Sequence, residues 1–373
     1  MTAEVIEEFE ASLDQDIRAW SQAISANLPK VEKKAVVSKA IGADILETAE
    51  KQELKIAKAF VDAVHVVKDK FSLRALEEAI AAGPSSVLTS LDLRNRFLAA
   101  SRGKGADPQS LSFSEALRAA FNAGADYEIT ALGSVKVPVE KAARPKVGVE
   151  LIFDYIAEEA VQFLRDYDFT LIREVTDSTL EAIQDVLVEG YQAGKTPATM
   201  ARELKGIIGL TKSQAKAVRN YRSALESGDE TQLINTLGRA LRDGRFDRSI
   251  LAEVEGRRTM SAATIDTMVE RYEERFLQYR AMTIARTESL RAANAGQQEV
   301  WRQAINQDLL DEAITRKKWV VTRDGRTCAV CGPIPKMNPQ GVPLGEQFVT
   351  PNGPYEYPPV HPSCRCTTVL KFN

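Results

Sequence analysis

Cysteine is missing from the first 327 residues of this 373-residue chain, and histidine occurs only twice, at His65 and His361. Disulfides scattered through a secreted scaffold would not leave so long a stretch empty, so that class is excluded. Long apolar runs are missing too. The longest, such as AFVDAVHVV from Ala59, meet charge within a few positions, far short of the ~20 apolar residues that cross a bilayer. The start, MTAEVIEEFEASLDQD, is acidic from its fourth residue and has neither the basic opening nor the apolar run of a secretory signal, so no exported precursor is expected. Nor is there an excess of positive charge. Against 49 basic residues stand 52 acidic ones, the formal net charge is -3 and the pI is about 5.8. No global field draws such a chain to nucleic acid or anionic lipid, and any contact of that kind has to be local. A G-x-S-x-G nucleophile turn, a phosphate-binding glycine loop and paired carboxylates beside a metal are also absent, which leaves no hydrolase chemistry to assign.

What is present is ordinary globular composition, and at ~150 residues per domain the length predicts two or three domains. Helical spacing dominates. Ile6, Phe9, Leu13, Ile17, Trp20 and Ile24 step by three or four, one face of a helix that stops at Leu28-Pro29. Segments 34–48, 51–81 and 113–125 also read as helical, separated by the turn-rich stretches 82–86 and 101–108. His65, among valines and alanines, has no second ligand type beside it and reads as a packed or surface histidine. Residues 133–148, GSVKVPVEKAARPKVG, suit an extended linker or an edge strand. Beyond them helices are predicted over 151–167, 177–193, 197–208, 211–226, 230–243 and 261–306. Thr196-Pro197 offers an N-cap with proline in the first turn, Gly209 a C-terminal stop, and Thr211-Lys212-Ser213-Gln214 a capping box. On the helix that follows, Val218, Tyr221 and Leu225 share one face, and Lys212, Lys216 and Arg219 the opposite one. With Arg222, these basic residues are the candidate nucleic-acid contact, although in a net-negative chain a solvated helix face accounts for them as well.

All four cysteines fall in the last 46 residues, together with nine of the fifteen prolines and His361, so composition draws a boundary near Lys317. Two half-sites appear there. Cys328 and Cys331 make a C-x2-C knuckle; His361 and Cys364 make an H-x2-C pair after 29 intervening residues; Cys366 is a fifth candidate. Two-residue spacing lets both side chains of a knuckle turn toward one ion, and a tetrahedral Cys3His set suits structural zinc. Closure by a metal would organise a proline-rich loop that has little apolar material of its own. Reduced thiols, or a disulfide between the halves, are the other possibility. Cys364 and Cys366 would point the same way on a strand, so either can be the fourth ligand. A catalytic metal would need an open position and a carboxylate base, for which Asp324 and Glu346 are the local candidates. Four donors with a fifth in reserve favour a closed site.

Three stretches carry a resemblance: I-A-R-T-E-S-L-R-A-A-N-A-G from Ile284 to Gly296, Trp319 through Asp324-Gly325-Arg326-Thr327 to the knuckle, and His361-Pro362-Ser363-Cys364-Arg365-Cys366. In order and spacing they resemble the tailed-phage head morphogenesis family named after the F protein of phage Mu. Ile207 to Arg222 is similar to the region preceding that domain, so the likeness covers roughly residues 150–373. The insert between the half-sites departs from it, with Gly332-Pro333-Ile334-Pro335 where members more often have a short apolar turn. The resemblance implies a non-enzymatic minor capsid or minor head protein, located in the capsid interior or at the portal vertex and in host cytoplasm during assembly. It implies portal, scaffold or major capsid protein as partner, with no membrane and no small-molecule substrate. The alternative is a virion protein that contacts phage DNA through Lys212, Lys216, Arg219 and Arg222. Taken alone, Arg286-Thr287-Glu288 reads as a polar network joining its helix to the tail, with Arg291 or Arg280 as charge partner. The expected fold is mainly α, a multi-helix body with a small C-terminal zinc-stapled β module. Its parts are an N-terminal helical domain (1–132), the linker (133–148), a helical head-morphogenesis domain (149–316) and a zinc-binding module (317–373). The module's strands are expected around Trp319–Arg323, Gln347–Thr350 and Cys364–Phe372.

Overall fold

The computed structural model describes residues 45–103, 111–133, 153–154, 158–322 and 327–372, with the backbone alone over 158–170. The helix predicted over 1–28, most of that over 34–48 and nearly all of the 133–148 linker lie outside these residues. Among the described residues five helices come first: α1 (Ile45–Asp69), α2 (Leu73–Ala81), α3 (Pro84–Leu91), α4 (Leu93–Arg102) and α5 (Phe113–Gly133). The single helix expected over 51–81 is two. Ser72 is an extended N-cap whose hydroxyl accepts the Ala75 N–H, and Phe71 turns into the core at the break. Proline in the first turn starts α3 inside a stretch that otherwise reads as turn.

The middle region holds α6 (Glu158–Gln192), α7 (Pro197–Ile207), α8 (Lys212–Glu226), α9 (Glu230–Leu237), α10 (Asp247–Val254) and α11 (Ala262–Asn306). Thr196 caps α7 through its side chain, and Gly209 follows at φ +86, where a side chain would be strained. The capping box of α8 is formed in both directions, Thr211 N–H to Gln214 Oε1 at 3.0 Å and Gln214 N–H to Thr211 Oγ1 at 3.4 Å. The two helices expected over 151–167 and 177–193 are the one helix α6, and that expected over 230–243 ends at Leu237.

Helix α11 is 45 residues long, roughly 67 Å at 1.5 Å per residue. Most of the circumference of its second half is buried, including Ala292, Ala293, Asn294, Gly296, Gln297, Val300 and Trp301, and the stripe Arg291, Gln298 and Arg302 is half-exposed. Helices α1 and α5 pack on it. The α5 contact is a backbone approach. A Cβ placed on Gly124 would lie 2.2 Å from the Ala293 carbonyl oxygen, and one on Gly296 would lie 2.1 Å from the Phe121 carbonyl oxygen. Above this contact Glu128 of α5 is fully buried and accepts the Trp301 indole N–H at 2.7 Å and a Gln297 amide N–H at 2.9 Å. Helices on both sides of the 133–148 stretch thus share one core. Among the described residues no helix is long and apolar enough to cross a membrane.

The tail folds as short strands. β1 (Thr315–Val320) lies between β2 (Val342–Pro343) and β5 (Thr367–Phe372), antiparallel to both, with Lys317 opposite Val342 and Leu370. A four-residue helix, α12 (Ile334–Met337), precedes a hairpin of β3 (Phe348–Thr350) and β4 (Gly353–Tyr355). Trp319 and Phe348 meet edge to face at 5.1 Å and centre a small core that includes Ile334, Val360 and the cysteines. Among the described residues the chain is mainly α, with strands confined to this tail.

The α5–α11 approach tolerates no added atom without separating two backbones. Gly296→Ala is expected to destabilise the protein by about 2–3 kcal/mol in urea titrations followed by circular dichroism. Gly133→Ala, at the open end of α5 with nothing within 4 Å of the added carbon, should be neutral or slightly stabilising.

Candidate metal centre

The tail's donors converge from two loops. After Thr327 the chain turns so that Gly332 N–H reaches the Cys328 carbonyl at 3.0 Å and Cys331 N–H reaches Cys328 Sγ at 3.3 Å. That turn places both knuckle sulfurs on one side. Asn338 locks the far end of the insert, donating to the Ile334 and Val349 carbonyls and accepting the Val349 N–H through its side chain. The second loop brings in His361, whose Nδ1 lies 2.9 Å from the Pro362 carbonyl. Only a protonated Nδ1 can make that bond, so in the neutral ring Nε2 carries the lone pair. Nε2 lies 3.1 Å from Cys328 Sγ and 3.0 Å from Cys331 Sγ; Cys331 Sγ lies 3.7 Å from Cys364 Sγ.

Five donors therefore form two overlapping groups, Cys328–Cys331–His361 and Cys331–Cys364–Cys366, each with its atoms within 4.8 Å of one another. Cys331 belongs to both. No described carboxylate joins either group, and Glu346 is an exposed residue in the insert; Asp324 lies outside the described residues. The second group cannot ionise fully by itself. Cys331 keeps its proton, pushed far up by its hydrogen bonds to Cys364 and Cys366, while Cys364 is held far below the ordinary thiol range by bonds from the same neighbours. A cation of two charges removes that conflict by letting several sulfurs be thiolates together. Thiolate sulfur with imidazole nitrogen is a soft donor set, and the cluster could hold a metal ion.

The loop is tied to the helical body. Ser363 N–H donates to Thr287 Oγ1 of α11 at 3.0 Å, and Thr368 on β5 bonds Gln297 and Gln298 at 3.1 and 3.0 Å. Sequence did not single out Ser363 or Thr368; their partners are 70 to 76 positions away. Arg286 turns to Glu53 of α1 at 3.3 Å, and Glu288 pairs with Arg291 at 3.4 Å. His65 is half-buried, with Nε2 3.1 Å from Glu274.

The basic stripe on α8 faces acid. Arg219 makes a two-pronged pair with Glu189 of α6 at 2.9 and 3.1 Å, Lys212 reaches Asp185 one turn earlier at 3.1 Å, and Arg222 pairs with Asp266 at 2.7 Å and Glu226 at 3.2 Å. Lys216 is exposed, with no ion pair among the described residues.

Residues 231–369 match the family described as Phage Mu protein F like protein. Over that stretch, less than half of its length, the chain is similar to the Phage Mu F-like family. No curated protein and no solved structure matches the chain. The Mu F-like stretch contains all of α11 and all five donors, whereas α1 and α5, which pack on α11, lie before it.

Because Cys331 is common to both donor groups, Cys331→Ser should abolish uptake of cobalt(II), read from its thiolate absorption, whereas Cys366→Ser should weaken uptake but leave it measurable. Glu288 gives a second test. Burial pushes its carboxyl from 4.5 up to about 7, against the pull of Arg291. The folded value lies above the unfolded one, so the group's contribution to stability is intact below about pH 4.5 and is lost as pH rises through about 7. Glu288→Gln escapes that loss. Its stability relative to wild type should rise between pH 5 and pH 8 by about 2–3 kcal/mol in urea titrations.

Proposed function

We infer that this protein is a structural head morphogenesis component of a tailed phage, a minor capsid protein that acts near the portal during assembly. The observation that carries the reading is the Mu F-like match, which runs unbroken through the central helix and both halves of the donor cluster. Its partners would be portal, scaffold or major capsid protein, and its place the virion, after assembly in the host cytoplasm.

The ion we assign to the cluster is zinc. Three thiolates with one imidazole match its preference for sulfur and nitrogen at tetrahedral sites, and these four protein donors leave no open position for water. Bound there, zinc would supply cross-linking of the two loops and no reaction, and we assign the protein no enzymatic activity. Direct DNA contact through the α8 stripe is the weaker reading, because three of its four cations already face carboxylates.

Co-sedimentation tests the assignment. A tagged copy produced in cells that make heads should travel with procapsids and portal on a gradient, and the Cys331→Ser variant should be depleted from those fractions by about tenfold. A wild-type protein that stays free at every stage would remove the reading.

A further inference from the structure

Beside the metal centre lies a cleft of about 320 Å³. Its floor is one stripe of α11: Arg280, Thr283, Ile284, Thr287, Glu288 and Arg291. Leu171 and Val175 of α6 form one wall, and Tyr355 with the turn Pro359 to Pro362 forms the other. From Arg280 to Arg291 the helix rises roughly 16 Å, the reach of about five residues of extended chain.

The two ends of this floor are chemically incomplete. Arg280 is only 7% exposed. Its guanidinium donates to the Gly209 carbonyl and to Ser178 Oγ, both at 2.6 Å and both uncharged, and no described carboxylate forms an ion pair with it. Burial alone lowers its pKa to about 10. Buried guanidinium groups ordinarily have a counter-anion, because desolvating the charge is otherwise uncompensated. At the other end Glu288 is 5% exposed, and its Oε2 has an ion-pair contact to Arg291 but no hydrogen bond among the described residues. Between them the walls are mostly apolar and proline-rich, with Glu174 and His361 as their charged or titratable members.

We propose that this cleft binds an extended acidic segment of a partner protein, with one Asp or Glu side chain pairing with Arg280 and a backbone N–H of the same segment meeting Glu288. A nucleic-acid phosphate would also satisfy Arg280, but Glu174 and Glu288 line the same cleft and repel a polyanion, whereas a peptide with a single carboxylate uses both ends. This inference is independent of the head-assembly reading, since the binding is measured on the purified full chain without phage particles.

The probe is an mRNA-displayed library of random heptapeptides, selected against the full chain, with the enriched sequences resynthesised and measured by fluorescence anisotropy. The expected result is enrichment of peptides that share an Asp or Glu. Their affinity should fall at least about tenfold with Arg280→Gln, which removes the charge and keeps donors, and with Thr283→Trp, which fills the cleft from a half-buried position. The Thr283 variant leaves the Arg280 hydrogen bonds intact, so the test survives if Arg280→Gln fails to fold. Selected peptides without an acidic residue, binding that persists in Thr283→Trp, or a labelled DNA duplex that displaces the peptide from the wild-type chain would each overturn the proposal.

Discussion

The backbone contact between α5 and α11 is the constraint from which the rest of the structure follows. With Gly124 against Ala293 and Gly296 against Phe121, the two helices come as close as main chains allow. A long helix approached that closely on one side and covered by α1 on another keeps a narrow half-exposed stripe, Arg291, Gln298 and Arg302, in its second half, and most of the rest of its surface there is buried. Every polar side chain there must then find a partner inside the protein. Gln297 and Trp301 find Glu128; Asn294 donates to the Leu290 carbonyl; Gln303 bonds the backbone of Asp154. Thr287 and Gln298, together with the carbonyl oxygen of the Gln297 side chain, reach out to Ser363 and Thr368 and hold the C-terminal tail. The same burial that makes α11 a core helix makes it the mount for the metal centre.

The tail needs that mount. Its own core is a few side chains around Trp319 and Phe348, and its strands are two to six residues long. So little apolar area cannot order a loop of more than thirty residues against its conformational entropy. Three devices make up the difference: the sheet between β1 and β5, the side chain of Asn338 standing in for a missing strand partner, and the donors at Cys331 where both loops meet. Cys331 and Cys364 sit on different loops, and an ion between them joins sequence positions 33 residues apart.

Features set by near neighbours in the chain were legible in the sequence. The capping box at Thr211, the stop at Gly209, the 45-residue helix and the donors of the two half-sites are all encoded within a few positions. What escaped was set by distant partners. Nothing local says that the row Asp185 and Glu189 on α6 will face Lys212 and Arg219, turning a basic stripe into a helix–helix seam. The break at Ser72 was hidden because residues 51–81 keep a helical apolar period on both sides of it. The continuity of α6 was hidden for the opposite reason: polar residues near 168–177 weaken its apolar pattern, and helical hydrogen bonding carries through them regardless. The order of helices could be read from periodicity, but the sharing of one core across the 133–148 stretch depends on the fit of Gly124 and Gly296 at 170 positions' separation.

Burying so much of α11 leaves the two parts of the molecule with opposite responses to acid. Glu53, Glu128, Glu273 and Glu288 lie on α11 or on the helices against it, and burial raises each to about 7. Neutral carboxyls suit these four sites, so their contribution to stability is largest below that value and is lost as pH rises through it. The donor cluster works the other way. Its sulfurs and the His361 Nε2 must lose protons to hold a cation, so the tie between the two loops strengthens as pH rises and is lost in acid. Thr287 and Glu288 are adjacent on one helix, the first gripping the metal loop and the second carrying one of the raised carboxyls. Near neutrality the two tendencies overlap, each partly satisfied, so body and tail are held together there by contacts of both kinds.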